Sequence, residues 1–82
     1  MDMTFKLEYS IETEEDTRIL NIEAHTDYPN NPIQILLDDG SSFRTRTNKK
    51  GVAICSTCKI KNYHVTVKIH DETFEDDINI EN

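Results

Sequence analysis

The sequence predicts an all-β fold, a two-sheet antiparallel sandwich of about seven strands. Three observations predict it. Apolar residues recur with period two in several short runs. Clusters of turn-forming residues separate those runs at intervals of roughly eight to twelve residues. No segment sustains the period of about 3.6 residues that marks an amphipathic helix.

Phe5, Leu7, Tyr9 and Ile11 alternate with Lys6, Glu8, Ser10 and Glu12, the pattern of a half-buried strand. The polar, acidic stretch Thr13 to Asp16 reads as a turn. Leu20, Ile22 and Ala24 then point one way, with Asn21, Glu23 and His25 the other, a second strand over Thr17 to Thr26. The run from Asp27 to Pro32 holds two prolines and two asparagines and is a loop, with Tyr28–Pro29 its foremost candidate for a cis bond. Ile33, Ile35 and Leu37 make a third strand, closed by Asp38-Asp39-Gly40. Phe43, Thr45 and Thr47 form one face of a fourth strand, with Arg44 and Arg46 on the other. Asn48 to Gly51 is a turn. Val52 and Ile54 mark a short fifth strand. Tyr63, Val65, Val67 and Ile69 form the clearest strand, with His64, Thr66, Lys68 and His70 outward. A tight turn near Asp71-Glu72 leads to a last strand marked by Phe74, Ile78 and Ile80. Asp76 falls on its apolar face, which requires a bulge or a sheet end there. This strand count and spacing match immunoglobulin-like topology, with the odd-numbered residues of the first, third and sixth strands supplying much of the core.

The chain's 82 residues fit one domain, 1–82. Apolar content of 35% is low, but its strong patterning argues against disorder. There is no apolar run long enough to cross a membrane as a helix, and the N-terminus lacks the basic and apolar regions of a signal peptide. The net charge of −7 is segregated. Residues 1–39 carry ten acids with only Lys6 and Arg18 as bases; residues 40–70 carry seven bases and no acid; residues 71–82 carry six acids and no base. Cross-strand pairing of acidic with basic strands is the expected outcome of this segregation, and a basic face presented to an acidic partner is the competing one. The acidic balance argues against nucleic-acid binding, which needs cations to displace the phosphate counterions.

The order of Pro32, Ile35, Leu37, Asp39 and Gly40, then Thr47, Asn48, Gly51, Val52 and Ala53, then Tyr63, Val65, Thr66 and Val67 resembles bacterial immunoglobulin-like and prealbumin-like modules. These include invasin-type repeats and carboxypeptidase regulatory-like domains. The resemblance covers about half of the chain. That family often has Gly where this chain has Asn62, and its pattern does not include Cys55 and Cys58. The resemblance implies a spacer or adhesion-type module of a surface, secreted or virion protein, with a surface or extracellular location favoured over the cytoplasm.

Cys55-Ser56-Thr57-Cys58 is the most pointed chemical motif. Half of a zinc site would need two further ligands. His64 and His70, six residues apart, would lie about 20 Å apart on one strand and could not both reach one ion unless the strand ends before His70. A redox dithiol needs a helix N-terminus that this chain does not offer. A disulfide closing a tight loop and a pair of reduced thiols at a turn remain, with reduced thiols the default. Glu14-Glu15-Asp16 and Asp38-Asp39-Gly40 do not follow the spacing of a calcium loop and read as solvated turns. The acidic run from Asp71 to Asn82 reads as a solvated edge rather than a mimic of nucleic acid. No Gly-rich phosphate loop or Ser elbow is present, so the chain is expected to be non-enzymatic and without a cofactor.

The expected function is therefore a protein-interaction or spacer module. Its candidate interaction face is Arg44, Arg46, Lys59, Lys61 and Lys68, with a protein partner, no nucleic acid and no membrane insertion. The alternative is a free-standing small acidic intracellular protein that inhibits or regulates a protein partner, phage-encoded and acting by surface mimicry in one version. The starting Met and the lack of evident pairing for the cysteines favour that alternative.

Overall fold

The computed structural model describes residues 4–81. The described residues fold into seven strands: β1 (Lys6–Glu14), β2 (Thr17–His25), β3 (Pro32–Leu37), β4 (Ser42–Arg46), β5 (Val52–Thr57), β6 (Tyr63–Ile69) and β7 (Glu72–Ile78). They form two antiparallel sheets, ordered β1-β2-β5 and β4-β3-β6-β7. This is the predicted two-sheet sandwich. In the seven-stranded constant-type immunoglobulin arrangement the fourth strand joins the first sheet. Here it stays beside β3, because the turn between them is short. Leu37 N–H donates to Ser41 O, Gly40 N–H donates back to Leu37 O, and Asp39 caps Ser41 N–H. No helix among the described residues is long and apolar enough to cross a membrane.

The core lies between the sheets. Leu20, Ile22 and Ala24 from β2 and Ala53 and Cys55 from β5 face Ile33, Ile35 and Leu37 from β3 and Tyr63, Val65, Val67 and Ile69 from β6, all buried. The odd-numbered residues of β3 and β6 are buried as expected. In β1, Leu7, Tyr9 and Ile11 are only half-buried, because β1 is an edge strand. Phe5 stacks on Phe74 with ring centroids 4.7 Å apart, closing the side where β1 lies over β7.

Two expectations need correction. The inward residues of β5 are Ala53 and Cys55, paired with Ala24 and Ile22, so Ile54 points outward and is 56% exposed. The parity is set by Gly51: its carbonyl accepts from both the N–H and the hydroxyl of Thr26 at 2.9 Å, which starts the β2–β5 ladder one residue earlier than an inward Ile54 would require. A side chain cannot replace this glycine easily, since a Cβ there would lie 2.2 Å from Thr26 O and φ is +82°. The turn after β6 is His70-Asp71, not Asp71-Glu72: Ile69 pairs with Glu72, and His70 leaves the strand at φ 57°. Of the two alternatives at Asp76, a bulge or a sheet end, the structure takes the second, and β7 carries no bulge. Its register with β6 runs unbroken from Tyr63↔Ile78 to Ile69↔Glu72, and Asp76 faces inward but exposed because β7 is the sheet edge. An inward-pointing charge on an edge strand deters pairing with another chain. The Tyr28–Pro29 bond is trans, as are all peptide bonds of the described residues.

Buried Tyr63, at the start of β6, donates its hydroxyl to Lys59 O at 2.7 Å. A tyrosine bonding back to the chain just upstream is the tyrosine corner of Greek-key sandwiches. It fixes the β5–β6 crossover between sheets. Buried Thr47 does the same at the other end, accepting from Asn31 N–H at 2.9 Å and donating to Tyr28 O at 2.5 Å.

The β1–β2 hairpin is the weak point of the backbone. Glu14 pairs with Thr17, so Glu15 and Asp16 make a two-residue turn with both φ positive, at 50° and 68°. Such a turn prefers Asn-Gly, and an ordinary L residue there carries a cost of about 1–2 kcal/mol. Replacing Glu15→Asn together with Asp16→Gly should therefore raise stability by about 1 kcal/mol, a Tm increase of roughly 4–8 °C in a thermal melt.

Candidate interaction surface

Because the core takes one face of each sheet, the polar side chains are driven to the two outer faces. On the four-stranded sheet, register places Arg44, Gln34, Lys68 and Thr73 in one row across β4, β3, β6 and β7. Arg44 and Lys68 are two strand spacings apart, about 10 Å between Cα atoms. Arg46 stands one row nearer the end of the sandwich and donates to Asn30 O at 2.8 Å. Around this row is a shallow open hollow of about 350 Å³, lined by Arg44, Lys68, His70, Gln34, Asn31 and Pro32 among others. His70 forms its rim and stacks on Tyr28, with ring centroids 4.7 Å apart and planes 6° from parallel.

Of the predicted interaction residues, the structure brings together Arg44, Arg46 and Lys68. It does not add Lys59 and Lys61 to them. Those two lie in the β5–β6 crossover at the opposite end of the sandwich, where Lys61 sits 5.2 Å from the centre of the Tyr63 ring. There they also help the Ser41 contacts hold the Asp39 carboxyl below the usual range.

The expected cross-strand neutralisation of the basic strands is not what the structure shows. Among the described residues, none of the seven bases between 40 and 70 makes an ion pair with a carboxylate; the only Lys or Arg in an ion pair is Lys6, 2.8 Å from Glu8. The reason is strand order. The acidic β1 and the acidic turn after it belong to the other sheet, and β7 meets β6 with its acids opposite His64 and Thr66, not opposite Lys68.

His64 takes those acids. Its Nδ1 lies 2.7 Å from Asp77 Oδ1 and its Nε2 2.7 Å from Glu75 Oε1, so both ring nitrogens are engaged by the edge strand. Hydrogen bonds to Glu75 and Asp77 push the imidazole up from 6.5 to about 9. On the three-stranded sheet a second histidine is placed differently. His25 Nε2 lies 3.1 Å from Glu23 Oε1 and 3.7 Å from Glu8 Oε2, so two carboxylates converge on one nitrogen. Neither group was legible in the sequence. Both depend on cross-strand register; the i, i+2 spacing of Glu23 and His25 was the only local signal.

Cys55 and Cys58 are free, and neither histidine discussed with them is drawn to a shared site. Cys55 is buried in the core and Cys58 is exposed in the crossover. Burial pushes the Cys55 thiol up to about 11. No family model, no curated protein and no solved structure matches this chain.

Two outcomes follow from these placements. Alkylation of the native protein should modify Cys58 alone, with the second adduct appearing in the intact mass only after denaturation; rapid double labelling of folded protein would contradict the buried Cys55. For His64, the folded value lies above the unfolded one, so its stabilising contribution is complete below about pH 6.5 and is lost as pH rises through about 9. Urea titrations between pH 6.5 and 9 should show stability falling in the native sequence, with that part of the slope absent from His64→Gln.

Proposed function

We propose that this chain is a non-enzymatic protein-interaction module whose Arg44–Arg46–Lys68 face docks an acidic segment of a partner protein. One observation carries the reading. In a chain with 16 acids and 9 bases, the bases of this face are left without a carboxylate partner; Arg44 and Lys68 line a hollow, and Arg46 stands in the next row. Arg44 and Lys68 flank Gln34 in one row, so a carboxylate entering between them meets both cations. The guanidinium of Arg44 supplies a planar fork suited to bidentate carboxylate recognition, while Lys68 supplies a mobile point charge. Gln34 between them adds a neutral donor and acceptor. The resemblance to bacterial immunoglobulin-like modules supports placement in a surface, secreted or virion protein. The two free thiols favour a second reading, an acidic regulator of a protein partner working in a reducing compartment.

Titration of isotope-labelled protein with a glutamate-rich peptide tests the face itself. Amide shifts should centre on Arg44, Lys68 and the His70 turn, and binding should weaken with salt. Arg44→Glu with Lys68→Glu should lower affinity at least about tenfold, equivalent to roughly 1.4 kcal/mol. Lys59→Glu with Lys61→Glu, at the far end, should leave it nearly unchanged. Equal losses in both variants would mean that net charge alone drives binding and would remove the case for this face.

A further inference from the structure

We infer that Glu8, Glu23 and His25, on the outer face of the three-stranded sheet, form a binding site for a divalent transition-metal ion of the zinc class. The site lies on the sheet opposite the cationic hollow and shares no residue with it. Glu8 and Glu23 are direct cross-strand partners on β1 and β2, and His25 follows Glu23 by two residues, so all three side chains leave the same face. One donor atom from each lies within 4.8 Å of the others.

The spacing suits a metal. Tetrahedral coordination with bonds of about 2.0–2.1 Å places neighbouring donors about 3.3 Å apart. The separations from His25 Nε2 to Glu23 Oε1 and Glu8 Oε2, 3.1 and 3.7 Å, bracket that value. Two carboxylates directly opposite each other are also a repulsive pair that a cation would reverse. Lys6 relieves part of this repulsion, bonding Glu8 Oε1 at 2.8 Å, and leaves Oε2 turned to His25. On the far side, β5 places only Val52 and Ile54 opposite His25 and Glu23, so no competing cation approaches from there.

The contrast with His64 explains why only one histidine is assigned. Each nitrogen of His64 is engaged by its own carboxylate on an opposite side of the ring, which suits a charged imidazolium and offers no lone pair. At His25 both carboxylates meet a single nitrogen, Nε2, which hydrogen-bonds Glu23 at 3.1 Å. Loss of that one proton would let a metal stand between all three donors, whereas at His64 the two carboxylates lie on different nitrogens and cannot share an ion with either. The ligand set of one imidazole and two carboxylates selects zinc-like ions over calcium or magnesium, which take oxygen donors. Three protein ligands leave a fourth position open to water or to a donor from a partner.

The test is calorimetric titration of the full chain with Zn²⁺ and separately with Ca²⁺, in a Cys58→Ser background that removes the exposed thiol. One equivalent of Zn²⁺ should bind, with Ca²⁺ giving no heat, and imidazole resonances of His25 should shift while those of His64 do not. His25→Ala and Glu23→Gln, each checked for a native circular dichroism spectrum, should weaken Zn²⁺ at least about tenfold. His64→Ala should leave it unchanged. Absence of Zn²⁺ uptake by the Cys58→Ser protein, or affinity retained in His25→Ala, would overturn the assignment.

Discussion

Every placement on this molecule depends on the burial of one apolar face from each sheet. Strand side chains alternate with period two, so a strand that commits its apolar residues to the core has no freedom over its polar ones. A slip of one residue would carry Ile33, Ile35 and Leu37 of β3, or Val65, Val67 and Ile69 of β6 together with Tyr63, into water, at a cost of roughly 1.5–3 kcal/mol for each aliphatic group. Register is thus locked by the core, and the outer faces inherit their arrangement from it. Arg44, Gln34 and Lys68 form a row because Phe43, Ile35 and Val67 beside them form one on the other side. Glu8 meets Glu23 because Leu7 and Tyr9 must meet Ala24 and Ile22. The surface chemistry is a consequence of the core and needs no local motif to produce it.

Much of the fold was legible for the same reason. Alternation in β1, β2, β3 and β6 spans enough residues to give each strand and its inward face directly. The failures fall where that signal is short or mixed. In β5 both alternatives offer apolar residues, Val52 with Ile54 or Ala53 with Cys55, and hydrophobicity alone favours the larger pair. The tertiary contact between Gly51 and Thr26 decides the other way, and nothing near Gly51 in sequence reports where Thr26 will be. At His70 the expected outward strand position gave way to a turn because a two-residue connection must start once Ile69 pairs with Glu72. The candidate surface was half legible. Charge segregation pointed to the cations, but strand order separates Lys59 and Lys61 from the others, and strand order is not written in any local pattern.

Strand order also explains why a strongly acidic chain leaves cations bare. Opposite charges far apart in sequence neutralise each other only if pairing brings them to one face. Here the acids of β1 and the bases of β4 and β6 belong to different sheets, separated by the thickness of the core. Sheets pack about 10 Å apart, more than a Debye length at physiological salt once side chains extend outward from each. The molecule is therefore two-sided: one outer face has acids and imidazole in excess, the other a basic row edged by the acids of β7. A single figure for net charge describes neither face.

The two outer histidines show how far geometry outruns composition. Each has two carboxylates beside it, and by residue type the groups are nearly identical. His64 bonds them through different nitrogens, and so acts as a charged clasp that holds the edge strand β7 onto β6. His25 has them converging on Nε2, with an apolar flank from β5. The difference arises from register. For His64 one carboxylate is directly opposite and the other diagonal on the same neighbouring strand, so the ring lies between them. For His25 one carboxylate is on its own strand and the other diagonal across the pair, so both approach from one side. Two carboxylates on different nitrogens clamp the ring between them, whereas two on one nitrogen gather three donor atoms in one place, and register alone decides between the two arrangements.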